Sequence, residues 1–228
     1  MDDPGGQDDP GGEDDPGGAS TDGRRRRLSE DQRRQQILAG CIRVLARDGY
    51  QQATLARVAR EAGVSKGLVS HYFGDRDSLM DQTAIAIIDD LRTGVARRID
   101  SSAAVPEVVR SAVREAAGLG RTSPDQLRAV DELVHNLRDA DGRPRLDLTV
   151  YENTYRAQRQ LFRRGQTEGT LRQFDTRAMA VVYQGAIDAM IGYLDAHPDV
   201  DREEFAATTA ELLITAIRRP DGPEGRPA

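Results

Sequence analysis

A chain of 228 residues, with a net charge of −6, 38% hydrophobic residues and one cysteine, is long enough for one or two domains with a proper core. One cysteine excludes an intrachain disulfide framework, and the cytoplasm is the expected compartment. No stretch approaches the ~18 apolar residues of a membrane span.

The first 23 residues repeat Asp-Asp-Pro-Gly-Gly at positions 2, 8 and 14, and carry eight acids with no Lys or Arg. Such a stretch cannot bury a core, so residues 1–23 are expected to form a disordered acidic tail. A second reading is electrostatic, the acids competing with an anionic partner for the basic segment behind them. It has neither the charged start nor the apolar run of a signal peptide. The remaining charge is uneven: residues 24–80 carry +6 and residues 81–228 carry −4. The positive charge is thus confined to one N-terminal segment, the distribution a nucleic-acid-binding head needs.

That segment opens on Arg24–Arg27, either a solvated leader or an arm that lies on phosphates or in a minor groove. Helix one begins at Ser29 or Glu30, with acids in its first turn, and ends at Gly49. Cys41 lies in its stripe Ile37, Leu38, Cys41, Ile42 and Leu45, which makes it a small core residue rather than a reactive thiol. Thr54 can cap the next helix, whose apolar members Leu55, Val58, Ala59 and Ala62 fall at i, i+3, i+4 and i+7. Gly63 stops it, Val64 plugs the turn, and Ser65 caps a short helix with Val69 and Phe73 on its buried side. Gly67, Leu68, Ser70 and His71 then face outward. This is the layout of a helix-turn-helix, whose second helix enters the DNA major groove.

The string Gly-Val-Ser-Lys-Gly-Leu-Val-Ser-His-Tyr-Phe, the Thr54 opening and the following Asp75-Arg76-Asp77-Ser78-Leu79 resemble the signature of the TetR family of transcriptional regulators. The Val-Ser-His-Tyr-Phe ending is similar to that of the choline-responsive repressors of betaine synthesis. By this resemblance Lys66, Gly67, Leu68, Ser70 and His71 are candidates for the groove, and Thr54, Tyr72 and Arg76 for phosphate contact. Chemically, Lys66 can donate to guanine or phosphate, and Leu68 can touch a thymine methyl. Leu68 and Ser70 stand where the family commonly has threonine and tyrosine, which removes a phosphate-reaching ring at position 70.

A long helical pattern runs from Asp75 to about Ser102 and, by the resemblance, joins the head to a regulatory body. Helix candidates follow at Val105–Ala117, Pro124–Asp139 and Leu146–Glu168, with Gly118-Leu119-Gly120 as a separator. The segment from Asp139 to Arg145 brushes a calcium-loop pattern but lacks its acids, so it reads as a plain loop. Thr176 to Ala196 carries Met179, Val182, Tyr183, Ala186, Ile187, Met190, Ile191 and Leu194 on one stripe. A second stripe of small residues comprises Ala178, Gly185, Ala189, Gly192 and Ala196. Apolar on two sides, that helix faces more than one neighbour. A last helix bears Phe205, Leu212, Leu213, Ala216 and Ile217 and stops before Pro220. These two also resemble the C-terminal pair through which TetR-type regulators dimerise as a four-helix bundle.

The expected architecture is therefore all-α: a three-helix head over 24–80, a six-helix body over 81–219, and a disordered tail over 220–228. Double-stranded DNA, a twin chain paired through the helices at 176–196 and 201–218, and a small effector are the expected partners. His135, Tyr151 and Tyr155 are candidate effector contacts in the body. The absence of Trp, with six Tyr and four Phe, speaks against carrying over a choline cage. An enzyme is not expected. The three histidines lie in three different helical regions, with no phosphate loop, nucleophile elbow or zinc spacing. No cofactor or metal is expected. Regulation by a partner instead of a small ligand, or activation instead of repression, is the alternative.

Overall fold

The computed structural model describes residues 29–146 and 148–219, apart from the side chains of Leu148 and Thr149. The acidic repeats, the Arg24–Arg27 run and residues 220–228 lie outside the described residues. Among those described there are ten α-helices and no β-strand. They are α1 (Glu30–Asp48), α2 (Leu55–Glu61), α3 (Lys66–Phe73), α4 (Arg76–Ala96) and α5 (Val105–Ala117). After them come α6 (Leu119–Thr122), α7 (Pro124–Asn136), α8 (Glu152–Thr167), α9 (Thr176–Ala196) and α10 (Arg202–Ile217).

Side-chain caps set most of the starts. Ser29 accepts from the Gln32 N–H at 3.2 Å while the Gln32 side chain accepts from the Ser29 N–H at 2.9 Å, a capping box. Asp75 caps α4, Asp175 caps α9 and Asp201 caps α10. Each such cap stabilises its helix by roughly 1 kcal/mol.

Four boundaries depart from expectation, the plainest being α7, which ends at Asn136 and not at Asp139. α4 ends at Ala96, because Asp100 turns its carboxylate onto the Ser102 N–H (2.9 Å) and hydroxyl, a local alternative to the helical ladder. The separator after α5 is itself one short helical turn, α6. α8 starts at Glu152 after a 3₁₀ turn over Leu148–Tyr151. Arg145, paired with Asp77 and Asp81, pins the preceding chain to α4 and delays the helix. Asp139 accepts from the N–H groups of Asp141 (2.9 Å) and Arg143 (2.8 Å), so its carboxylate is spent on shaping the loop. Among the described residues no cluster of His, Cys, Asp and Glu could hold a metal ion.

The helices close two cores. The first joins Ile37, Cys41, Val44 and Leu45 of α1 to Val58, Val69, Phe73, Leu79 and Ile87. It also takes Ala129 and Leu133 of α7, with Leu137 just beyond. The expected division at residue 80 is thus crossed by packing, since α4 and α7 complete the head. Gly40 permits this closeness, as a Cβ there would sit 2.9 Å from the Ala62 Cβ. The second core collects Val105, Val109 and Val113 of α5 with Phe162, Tyr183, Ile187, Leu194, Ile214 and Ile217. Phe162 meets Tyr183 edge-on at 5.7 Å. Each such buried side chain stabilises the fold by about 1.5–3 kcal/mol.

Candidate nucleic-acid interface

The turn between α2 and α3 aims the second helix. Gly63 adopts φ +66°, and two backbone bonds close the end of α2, from Gly63 N–H to Arg60 O and from Val64 N–H to Ala59 O. Val64 packs onto the head core. Ser65 then caps α3, accepting from the Leu68 N–H at 3.1 Å. Buried Val69 and Phe73 fix the rotation of α3 about its axis. Lys66, Gly67 and His71 are thereby exposed, with Leu68, Ser70 and Tyr72 half-buried beside them. The His71 and Tyr72 rings meet edge-on at 5.5 Å. The six expected α3 positions therefore lie on one short helix, with no Cβ at Gly67 to hold a duplex away.

The other two expected contacts have structural duties. The Thr54 hydroxyl caps α2, accepting from the Arg57 N–H at 3.2 Å, and Thr54 remains exposed. Arg76 donates through Nε to the Ala53 carbonyl (3.0 Å) and through Nη2 to the Tyr50 carbonyl (2.6 Å). Its guanidinium lies 4.1 Å from the centre of the Tyr50 ring. Arg76 therefore braces the turn before α2 from within the head, a role the sequence reading did not assign.

A charged network behind the helix-turn-helix was also missed. Asp48 pairs with Arg57 at 2.8 Å and with Arg47 at 3.0 Å, and Glu61 pairs with Arg43 at 2.8 Å and Arg47 at 3.1 Å. Arginine hydrogen bonds hold both carboxyls below the usual range. The network joins the end of α1 to both ends of α2, and only contact across helices could reveal it.

In the body, the three expected effector contacts separate. His135 lies exposed on α7, 3.1 Å from Asp131, and the buried residues of α7 belong to the head core. Tyr151 and Tyr155 belong to the second core, their ring centres 5.9 Å apart. The structure thus removes His135 from the pair. It adds a residue that the sequence did not single out, Asp188 of α9, which accepts from Gln184 at 2.8 Å and whose carboxylate lies beside Tyr151.

The family model described as "Bacterial regulatory proteins, tetR family" matches residues 37–83, the helix-turn-helix and its flanks. Over 66 residues, 29% of this chain, it is 44% identical to the HTH-type transcriptional regulator BetI 2 of Chromohalobacter salexigens and covers 32% of that protein. Over 74 residues, 32% of this chain, it is 39% identical to BetI of Paraburkholderia phytofirmans and covers 38% of it. The match therefore spans about a third of the length of these curated relatives. In fold the likeness extends further. A TetR-family transcriptional regulator from Haemophilus influenzae superposes with TM-score 0.64 at 17% identity, covering 85% of this chain and 100% of that one. The fatty acid degradation regulator FadR of Bacillus halodurans superposes with TM-score 0.62 at 19% identity, covering 82% and 97%. These relatives and neighbours are named as regulators. Residues 37–83 are thus similar to the tetR family of bacterial regulatory proteins, and the whole described chain has the all-helical fold of these solved structures.

Proposed function

We propose that the chain is a cytoplasmic transcriptional regulator, most simply a repressor, that binds a two-fold-related operator as a homodimer and is released by a small molecule. The observation that carries the DNA reading is the outward face of α3, where Lys66, Gly67 and His71 stand exposed on a head that holds the chain's excess positive charge.

Pairing is supported by α9 and α10. Val182 is 60% exposed and Leu212 70%, a costly arrangement for a lone chain. Among the described residues nothing packs closely on the two glycines of the small stripe of α9: a Cβ at Gly185 or Gly192 would meet nothing within 4 Å. Small residues on an open apolar face let another backbone approach. Two heads so joined would contact successive major grooves, ~34–36 Å apart.

Release is a matter of differential binding. α4 begins directly behind α3 and runs into the second core, so an effector that prefers a shifted α4 weakens the match of the heads to DNA, by ~1–3 kcal/mol in ordinary cases. The experiment is light scattering with gel-shift titration of palindromic and half-site duplexes. A stable dimer that prefers the palindrome is expected; a monomer that binds half-sites equally well sinks the proposal.

A further inference from the structure

The cations of the helix-turn-helix head fall into two groups. Arg43, Arg47 and Arg57 are engaged by Asp48 and Glu61 behind α2. Among the described residues Arg33, Arg60 and Lys66 pair with no carboxylate, and all three border the turn between α2 and α3. Arg60 and Lys66 flank that turn in sequence, both exposed. Arg33 reaches it through Gln36. Arg33 Nη1 donates to Gln36 Oε1 at 2.9 Å, and Gln36 Nε2 donates to the Ala62 carbonyl at 2.6 Å. Next to it, Arg34 Nη1 donates to the Tyr72 carbonyl of α3 at 3.4 Å. The first turns of α1 therefore touch both the turn and α3, and residues 1–28 join the described chain at Ser29, only ~8–11 Å of helix before those contacts.

The segment that joins there is acidic. Residues 1–23 hold seven Asp and Glu13 with no Lys or Arg, and Arg24–Arg27 can answer only four of those eight charges. The aspartates come in pairs, Asp2-Asp3, Asp8-Asp9 and Asp14-Asp15, each followed by Pro-Gly-Gly, with no apolar side chain to bury. Asp22 lies seven residues before Ser29 and Asp2 twenty-seven. At full stretch, ~3.3–3.6 Å per residue, they can stand up to ~25 Å and ~90 Å from it. α3, with eight residues, is ~12 Å long, so every pair can reach it.

We propose that the acidic segment 1–23 lies on Arg33, Arg60 and Lys66 of its own chain and competes there with DNA. A duplex presents one phosphate charge per ~1.7 Å of its axis, and the paired carboxylates are a weaker, displaceable substitute for it. Tethering holds them at roughly millimolar effective concentration. Salt loosens the contact, since exposed charges are screened beyond ~10 Å at ~0.1 M. The contact needs only charge; its effect on DNA rests on the DNA reading above.

Lys66 is the chain's one lysine, which makes the contact chemically readable. The full chain is treated with a water-soluble carbodiimide, which joins a carboxylate to an amine, then digested for mass spectrometry. An amide between residues 1–23 and Lys66 is expected, in ~10-fold lower yield at ~0.5 M than at ~0.05 M sodium chloride. The yield should also fall in the double variant Arg33→Gln, Arg60→Gln, whose fold circular dichroism checks, and when a random-sequence duplex is added. In a second arm, a full-length variant with the seven tail Asp changed to Asn and Glu13→Gln is titrated with that duplex by fluorescence anisotropy. Binding ~10-fold tighter than that of the unchanged chain is expected at low salt, as for a head occupied about nine-tenths of the time. No amide to Lys66, a yield indifferent to salt, or an amide joining two different chains in an isotope-mixed sample overturns the contact. If both chains bind the duplex equally well, the competition is overturned. If the salt-sensitive amide forms but neither chain binds the duplex, the contact stands and the DNA reading fails.

Discussion

The carboxylate of Glu132, on α7, accepts a 2.8 Å hydrogen bond from the backbone N–H of Tyr50, in the turn that leads into the helix-turn-helix. The same oxygen lies 3.5 Å from where a Cβ on Gly49 would stand. A helix far along the chain thus supports the helix-turn-helix head at its backbone. Glu132→Ala leaves that N–H unmet and is expected to cost about 1–3 kcal/mol in urea unfolding. Glu132→Gln, which keeps an acceptor oxygen, should cost less. Unchanged unfolding of the alanine variant would mean that α7 supports the head through apolar packing alone.

Arg76 grips the same turn from the opposite side, through the Tyr50 and Ala53 carbonyls. Arg76→Ala is expected to destabilise the DNA-free protein by about 1–3 kcal/mol, since two carbonyls lose their donor. Arg76→Lys should rescue poorly, because an ammonium lacks the planar fork. A variant with normal unfolding but weakened DNA binding would instead assign Arg76 to phosphate.

On the proposed function, Lys66 and His71 are expected to make two different kinds of DNA contact. Lys66→Ala is expected to weaken binding evenly across sequences and to lower the salt slope by about 1 if the ammonium neutralises one phosphate. His71→Ala should cost about 1–3 kcal/mol at one operator position if the ring reads a base edge. Gel-shift titrations across salt and across single-base operator variants distinguish these outcomes.

Leu212, on the open face of α10, tests the pairing of two chains. Leu212→Glu places a charge where an apolar contact is proposed and is expected to convert dimer to monomer in light scattering without changing helix content. Palindrome affinity should then fall towards that of a half-site. An intact dimer would show that this face is not the subunit contact.

Cys41 reports on the head core. Burial pushes its thiol up to about 11, against partial lowering by Thr83 and Arg76. An unfolded thiol titrates near ~8.5, so the stability contributed by the protonated thiol is intact below that pH. It is lost as pH rises from there towards 11, because the unfolded chain ionises first. At pH 8 a thiol reagent is expected to react only at the rate of unfolding, and ready labelling of the native protein would contradict a sealed core.

Several parts of this arrangement are local, and therefore legible in one dimension. Ser29, Thr54, Ser65 and Gly63 act within three residues of themselves, so their types and spacing announced the helices of the head. The α3 face followed from Val69 and Phe73, because a helix has only one rotation that buries both. Arg76 illustrates the opposite case. Its carbonyl partners are at least 23 residues away, and no local pattern separates a phosphate-facing arginine from a bracing one.

The chain's order of residues by itself determined an all-helical protein, a helix-turn-helix with Lys66, Gly67 and His71 outward, and a basic head on an acidic chain. Periodicity and capping suffice for these, since each involves neighbours within one or two turns. Tertiary structure decided that α7 belongs to the head core, that His135 parts from Tyr151 and Tyr155, and that Asp188 joins the latter pair. Those outcomes depend on which helix faces which, and that is settled by burial summed over the whole chain.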